Sequence, residues 1–260
     1  MIDSHCHIDL PAFDTDRAEV LNKAKSLAVS KLLVPGLHLW QFDTLLDLQA
    51  IYPELDICFG LHPYFLRQHA PVDSKNKITS LAEKVSQHVN QIVAIGETGL
   101  DAVIDVPMVE QIELLEAQIA IAKTFNKPLV LHHRQSHNEL IQVLKSTRFS
   151  LGGSIHAFSG SYEIAKTYLD LGFVLGVGGT ITYARAKKTR QAIAKVGIQH
   201  LVLETDAPDM PIFGFQGQRN TPERLPLIVD ALSDLLHIDS KTIKNISTEN
   251  YQRTFSSPIK

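Results

Sequence analysis

Two histidines separated by one residue stand near the start of the sequence, in the motif His5-Cys6-His7. The apolar residues Met1 and Ile2 precede the motif and indicate a short buried strand. Side chains two residues apart on a strand point to the same face, so both imidazoles can bind one cation. The pair therefore predicts a metal site close to the beginning of the chain.

Other residues of metal-ligand type each stand at the end of a predicted strand. Imidazole and carboxylate groups are common ligands of Zn²⁺ and related divalent cations. Taken alone, each residue is equally compatible with a structural hydrogen bond, a buried ion pair, or a turn or helix cap. Their joint placement favours a shared site. Counting the first pair, the residues are His5 and His7 at the end of the first strand, His62 after the third, Glu97 after the fourth, His132 after the fifth, His156 after the sixth and Asp206 after the eighth.

The elements that must position these residues alternate along the chain. Uninterrupted apolar runs such as Val93-Ala94-Ile95 are typical of strands buried on both faces of a parallel sheet. Longer segments with apolar residues at three- and four-residue steps lie between these runs and predict helices. The predicted strands are Met1–His5, Lys31–Gly36, Leu55–Leu61, Ile92–Gly96, Pro128–His132, Leu151–His156, Phe173–Val177 and Leu201–Thr205. The predicted helices are Thr15–Ser30, Gln41–Ile51, Ile78–Val89, Met108–Phe125, Ser136–Ser146, Tyr162–Leu171, Arg185–Val196, Pro222–Leu236 and Ser240–Phe255.

Strand–helix alternation repeated eight times favours an α/β fold of the (β/α)₈ TIM-barrel type, with an open doubly wound sheet as the alternative. All strands of a parallel barrel end on one face, where active sites are built, so the residues at the strand ends should converge there. The 260 residues contain no linker rich in proline, glycine or serine, so we expect residues 1–260 to form a single domain. His69, His88, His200 and His237 do not follow strands and are interpreted as solvated or structural.

Composition limits the possible partners. A net charge of -3 argues against tight, non-specific binding of duplex nucleic acid over the whole surface. A local basic cluster follows the seventh predicted strand, and it is interpreted either as a patch for a nucleic-acid substrate or as a solvated helix face. Its members are Arg185, Lys187, Lys188 and Arg190.

Cellular context is predicted from the cysteines and the amino terminus. Cys6 and Cys58 form neither a CxxC pair nor a disulfide framework, which fits a reducing compartment. The first ten residues lack a basic region and a long apolar run, and no stretch reaches the roughly 20 apolar residues of a membrane span. We therefore expect a cytoplasmic protein with no membrane association and no obligate protein partner.

Six segments of the sequence resemble the motifs of the TatD family of metal-dependent hydrolases, which lies within the amidohydrolase-like TIM barrels. The segments extend from residue 3 to residue 208, and Arg219–Pro222 and Glu249-Asn250 are also similar, so the resemblance covers essentially the whole chain. The stretch Gly178–Tyr183 is similar to the YjjV-like branch of the family. The six segments are Asp3–His7, Gly60–Pro63, Gly96–Asp101, Leu131–Arg134, His156–Gly160 and Glu204–Pro208.

The resemblance implies two divalent metal ions, Zn²⁺, Mg²⁺ or Mn²⁺, and a role for each candidate residue. One ion would bind His5, His7 and Asp206, and the other His132 and His156. Glu97 would bridge the two, in the place where other amidohydrolase-like barrels carry a modified lysine. Asp206 would also act as the general base for a water activated by the two metals.

Three further residues receive roles from the same resemblance. His62 and Arg134 would contact a phosphate or another anionic group of the substrate, arginine through its bidentate guanidinium. Of the adjacent His132 and His133, only one can face the mouth of the barrel, and the motif assigns that position to His132. His133 is expected to point elsewhere or to contact substrate.

The expected activity is hydrolysis of phosphodiester bonds, with DNA as the substrate and an exonuclease-like deoxyribonuclease as the specific form. One alternative is hydrolysis of a carboxylic ester or amide, including an aminoacyl-tRNA ester, at the same metals. Another alternative, from a different class, is a metal-binding barrel without catalytic activity. Substrate panels with added divalent metals distinguish the three.

Overall fold

The computed structural model describes residues 1–66 and 74–256, and His69 therefore lies outside the described residues. Eight parallel strands follow one another around the sheet in sequence order, each hydrogen-bonded to the next. The strands are β1 Ile2–Asp3, β2 Lys31–Pro35, β3 Leu55–Phe59, β4 Ile92–Asp101, β5 Leu129–Arg134, β6 Gly153–Ile155, β7 Phe173–Val177 and β8 Leu201–Leu203. The α-helices are α1 Arg17–Ser26, α2 Phe42–Ile51, α3 Ser74–Gln87, α4 Met108–Thr124, α5 His137–Ser146, α6 Tyr162–Asp170, α7 Lys187–Val196, α8 Leu225–Leu236 and α9 Ser240–Phe255.

The first and last strands meet and nearly close the sheet into a barrel. The Ser4 amide donates to the Leu203 carbonyl at 2.8 Å, and the Asp206 amide donates to the His5 carbonyl at 2.9 Å. The predicted (β/α)₈ architecture is therefore confirmed, and the open doubly wound sheet is excluded. None of the helices among the described residues is long and apolar enough to cross a bilayer.

Two apolar clusters stabilise the barrel from outside and inside. The larger one lies between the strands and the surrounding helices, because alternate residues of each strand point outward. The smaller one comes from the opposite faces of the strands, including Leu33, Val130 and Val202, and α9 packs against it through Tyr251 and Phe255. The Tyr251 hydroxyl also donates to the Asp56 carboxylate at 2.7 Å.

Strand β4 is longer than predicted, and Glu97 lies within it rather than after it. The predicted end at Gly96 is wrong because Gly99 to Asp101 continue to pair with residues 132–134 of β5. Between Ile95 and Thr98 the register shifts by one residue. Such a bulge redirects a side chain without ending the strand. Glu97 lies at this bulge.

Other element boundaries also differ from the prediction. Strand β1 ends at Asp3, so His5 and His7 lie in the irregular segment after it rather than on a strand. Helix α1 ends at Ser26 rather than Ser30, because Ala28 has a left-handed conformation with φ of 66°. An alanine gives no sequence signal for that conformation, which normally favours glycine.

Candidate metal centre

The structure brings all seven predicted strand-end residues together at the carboxyl-terminal face of the barrel. Six of them line a cavity of about 370 Å³. The seventh, His5, is fully buried, and its Nε2 atom lies 3.2 Å from Nε2 of His7. The six lining residues are His7, His62, Glu97, His132, His156 and Asp206.

A cleft of about 430 Å³ at the opposite end of β6 and β7 is larger than this cavity. Its described lining includes Gly153, Phe173, His200 and Arg253 but no carboxylate. Because metal binding and hydrolysis need convergent ligand atoms, the smaller cavity is the candidate site.

Glu97 lies between two sets of imidazoles. Its Oε2 atom is 3.2 Å from Nε2 of His5 and 3.6 Å from Nε2 of His7. Its Oε1 atom is 3.2 Å from Nδ1 of His132 and 3.6 Å from Nε2 of His156. Oε1 also lies 3.5 Å from Nε2 of His62. Each carboxylate oxygen therefore faces a different set of histidines.

Asp206 joins the first of these sets. Its Oδ1 atom lies 3.7 Å from Nε2 of His5 and 3.6 Å from Nε2 of His7. The Asp206 side chain is 13% exposed, whereas that of Glu97 is 3% exposed. Both carboxylates line the cavity, and Asp206 is therefore the more accessible of the two to a molecule bound there.

Asp3 holds together the two backbone segments that carry His5 and Asp206. Its Oδ1 atom accepts hydrogen bonds from the amides of His5 at 3.3 Å and Thr205 at 2.9 Å. Its Oδ2 atom accepts from the Thr205 hydroxyl at 2.6 Å. This buried carboxyl ties the residue before Asp206 to the segment after β1, where regular strand pairing is absent.

Burial favours neutral rings at His5 and His7, beside an ionised Glu97. Burial, together with the positive charge on His156, holds the pKa of His5 well below its usual range, and burial also lowers the pKa of His7. Burial alone would raise the pKa of Glu97, but the nearby histidines outweigh it and hold that pKa well below its usual range. Unprotonated ring nitrogens and a carboxylate are the forms that bind metal ions.

Besides His132, whose pKa is raised because hydrogen bonds to carboxylates outweigh burial, two other groups of the centre have raised pKa values. Burial opposes the charged form of His156, but the carboxylates of Asp206 and Glu97 outweigh it and raise the pKa of His156 to about 10. Burial raises the pKa of Asp206 to about 7. A cation in the centre would have to displace protons from both groups.

Comparison with known proteins agrees with the geometry. The family described as TatD related DNase matches residues 2–256. YjjV, a metal-dependent hydrolase of Escherichia coli K12, is 39% identical over 258 residues, which cover 99% of this chain and 98% of YjjV. The chain belongs to the TatD family of metal-dependent hydrolases.

One more relative and a solved structure support the assignment. A metal-dependent hydrolase of Haemophilus influenzae is 39% identical over 263 residues, which cover 98% of each chain. The crystal structure of YjjV, a TatD homologue from Escherichia coli K12, superposes on the present structure with a TM-score of 0.93 at 38% identity. That superposition covers 99% of this chain and 98% of the other.

Two carboxylates that the sequence analysis did not single out contact histidines of this TatD-family centre. Asp101 places Oδ2 3.3 Å from Nε2 of His132, and Glu204 places Oε1 3.5 Å from Nδ1 of His156. In each histidine the second ring nitrogen faces Glu97. A carboxylate on one nitrogen fixes the ring orientation and leaves the other nitrogen free for a metal.

The alternation of strand residues contained the signal for both carboxylates. Asp101 is four residues from Glu97 along β4, and Glu204 is two residues before Asp206, so each pair is expected on one face. Glu204 is buried, and its Oε1 atom accepts from the Ala157 amide at 2.5 Å. Gly176 of β7 leaves room for it, since a Cβ atom there would lie 2.2 Å from Oε2 of Glu204.

His133 lies outside the cavity, as expected for one residue of an adjacent pair. Its ring stacks on that of His137 at 4.2 Å between centroids, near Phe158. Arg134 is exposed at the end of β5 and does not line the cavity, although its charge helps to lower the pKa of Asp101. The structure therefore brings His62, but not Arg134, into contact with the cavity.

Proposed function

We propose that this TatD-family protein hydrolyses phosphodiester bonds, most specifically those of DNA, with two divalent cations bound at the candidate metal centre. The observation that carries the proposal is the position of Glu97, whose two oxygens face two separate sets of histidines. A carboxylate in that position suits the bridge between two metal ions. The family description as TatD related DNase supports DNA as the substrate.

The donor atoms fit such a pair of cations. Nε2 of His5 and Nε2 of His7 face each other at 3.2 Å, and two neutral imidazoles bind more favourably to a shared cation than to each other. In the proposal, His5, His7 and Asp206 hold one cation and His132 and His156 hold the other. Zn²⁺ and Mn²⁺ accept this mixture of imidazole and carboxylate ligands, while Mg²⁺ relies more on the carboxylates.

When bound, the two cations supply Lewis acidity that lowers the pKa of a water and neutralises charge on the scissile group. Asp206 takes the proton from the attacking water, because its carboxylate is more exposed to the cavity than that of Glu97. Glu97 stays largely buried and ionised, and its carboxylate lies between the two sets of histidines and fixes the distance between them.

His62 donates a hydrogen bond to the substrate in this proposal. Burial lowers the pKa of His62 to about 3, so the ring is neutral. Its Nδ1 atom accepts from the Tyr64 amide at 3.1 Å, which places the ring proton on Nε2. That atom lies 3.5 Å from Oε1 of Glu97, too far for a good hydrogen bond, and can donate to a phosphate oxygen. Arg134 is then limited to a part of the substrate outside the cavity.

The proposal is tested by cleavage of oligonucleotides with added Mg²⁺, Mn²⁺ or Zn²⁺. Asp206→Asn should lower kcat by about 10²–10⁴-fold, the usual contribution of a general base. His62→Gln should lose less, since it removes one hydrogen bond to the substrate.

Other outcomes decide against the proposal. Turnover of carboxylic esters, amides or aminoacyl-tRNA with oligonucleotides left intact would assign the alternative hydrolase activity. Metal binding without turnover of any of these substrates would assign a non-catalytic barrel.

A further inference from the structure

An exposed aromatic residue follows Asp209, which lines the cavity of the metal centre, by four positions in the chain. Phe213, in the segment between β8 and α8, is 64% exposed. Single exposed apolar residues are common and carry no function by themselves. The surroundings of Phe213 distinguish it from such a residue.

Hydrogen bonds between two loops hold Phe213 in place. The Phe213 amide donates to the Thr182 hydroxyl at 2.8 Å, and the Tyr183 hydroxyl donates to the Pro211 carbonyl at 2.7 Å. Gly179 packs so closely on this segment that a Cβ atom would lie 2.4 Å from the Met210 carbonyl oxygen. The ring is therefore presented from a fixed backbone.

Phe213, Tyr183 and Arg185 form what we call the aromatic platform. The rings of Tyr183 and Phe213 meet edge to face at 5.9 Å, and the Arg185 guanidinium lies 4.9 Å above the Tyr183 ring. Tyr183 and Arg185 also line a cleft of about 350 Å³ that includes Met210 and Pro211. The platform combines flat apolar faces with a planar cation.

Two positive side chains, Arg185 of the platform and the nearby Lys187, are available to an anion. Arg185 and Lys187 are exposed, and within residues 1–66 and 74–256 no carboxylate lies within ion-pair distance of either. The whole chain has a net charge of -3, so this positive surface is a local feature. A phosphate group complements it.

The platform borders the metal centre along the chain. Asp209 lines the metal-centre cavity, and the next two residues, Met210 and Pro211, line the platform cleft. The Asp209 amide donates to the Asp206 carbonyl at 2.9 Å, which fixes this segment to the proposed ligand. A strand cleaved at the metals can therefore extend across the platform.

We propose that the aromatic platform is a subsite for a nucleotide of the substrate strand next to the one at the cleaved bond. Its base stacks on Phe213, and its phosphate pairs with Arg185. Stacking on aromatic rings tolerates any base sequence, since every base has a flat π face. The subsite rests on the proposed phosphodiesterase function, and it adds the part of the protein that distinguishes a nucleic acid from a small diester.

The test compares an oligonucleotide with bis(p-nitrophenyl) phosphate, a small diester that reaches only the metals, using the metal-loaded protein. Phe213→Ala should lower kcat/KM for the oligonucleotide about 5- to 150-fold, the usual contribution of one stacked base, and leave that for the small diester unchanged. Arg185→Gln should reduce the salt dependence of oligonucleotide binding by about one phosphate contact. Ile51→Ala, at a residue that is 65% exposed on α2, is the matched control and should change neither.

Binding of a fluorescently labelled oligonucleotide, followed by anisotropy, separates the two proposals. If the protein cleaves neither diester, the phosphodiesterase proposal fails, and a loss of oligonucleotide binding in Phe213→Ala still supports the platform. Equal oligonucleotide binding and kinetics in Phe213→Ala and wild type overturn the platform. So do equal losses on both substrates, or a change from dimer to monomer on sedimentation, which would make Phe213 a contact between two copies of the chain.

Discussion

Replacing Gly176 with alanine is expected to weaken metal binding although Gly176 contacts no proposed cation. The added Cβ would lie 2.2 Å from Oε2 and 2.6 Å from Cδ of Glu204. Because non-bonded atoms sit about 3.5 Å apart at van der Waals contact, the Glu204 carboxylate has to move by about 1 Å. That movement disrupts its hydrogen bond with the Ala157 amide and its approach to Nδ1 of His156.

The size of the effect follows from the role of carboxylates behind metal-binding histidines. Loss of such a partner weakens metal binding about 10- to 100-fold, or about 1.4–2.7 kcal/mol. Titration calorimetry with Zn²⁺ or Mn²⁺ at constant pH measures it directly. Thermal unfolding of the metal-free protein, run in parallel, separates weaker metal binding from a general loss of stability.

A neighbouring glycine provides the matched control. In Gly178→Ala the nearest Glu204 atom to the new Cβ is 3.4 Å away, an ordinary contact, so metal affinity should stay near that of wild type. A second control is the double variant Gly176→Ala/Glu204→Ala, which should bind metal no more weakly than Glu204→Ala alone. Wild-type metal affinity in Gly176→Ala would refute the proposed role of Glu204.

Three other predictions follow from the same structure. The pKa is raised to about 10 for His156 and to about 7 for Asp206, so metal binding should release protons, and more of them at about pH 6 than at about pH 8. Calorimetry in buffers of different ionisation enthalpy measures this release. A heat of binding that does not depend on the buffer would contradict it. Tyr168→Phe removes the hydroxyl that lies 3.0 Å from Nδ1 of His137, and it should lower the free energy of unfolding by about 1–3 kcal/mol, measured by urea denaturation, without changing the metal content. A change in metal content would mean that the contact between Tyr168 and His137 influences the metal centre. A metal concentration a hundredfold above its dissociation constant should raise Tm by roughly 5–11 °C in scanning calorimetry, and adding a chelator should abolish that increase. An equal Tm with and without chelator would mean that the folded state binds no metal.

Much of the barrel could be predicted from local sequence, because most strands contain a continuous apolar run buried on both faces. The ends of strands and helices were less predictable where the residue types of the segment do not determine where it stops. Strand β4 passes Gly96 because β5 offers further pairing partners up to Arg134. Helix α1 stops early because Ala28 adopts a conformation that its residue type does not indicate.

Some residues of the candidate site could likewise be predicted from the sequence, and others could not. His5, Glu97 and Asp206 could be predicted because parallel strands end on one face and their side chains are ligand types. The roles of Asp101 and Glu204 depend on which histidine of another strand each one contacts, and a single sequence does not contain that distance. The direction of Arg134 is also a tertiary property, set by how far β5 extends beyond the cavity.

Metal stoichiometry tests the central claim most directly. We predict about two cations per chain in the wild-type protein by elemental analysis after dialysis, and about one in His132→Ala/His156→Ala, which removes two histidines on one side of Glu97. His5→Ala/His7→Ala should likewise lose the cation on the other side. Two cations per chain in both double variants would contradict a binuclear centre bridged by Glu97.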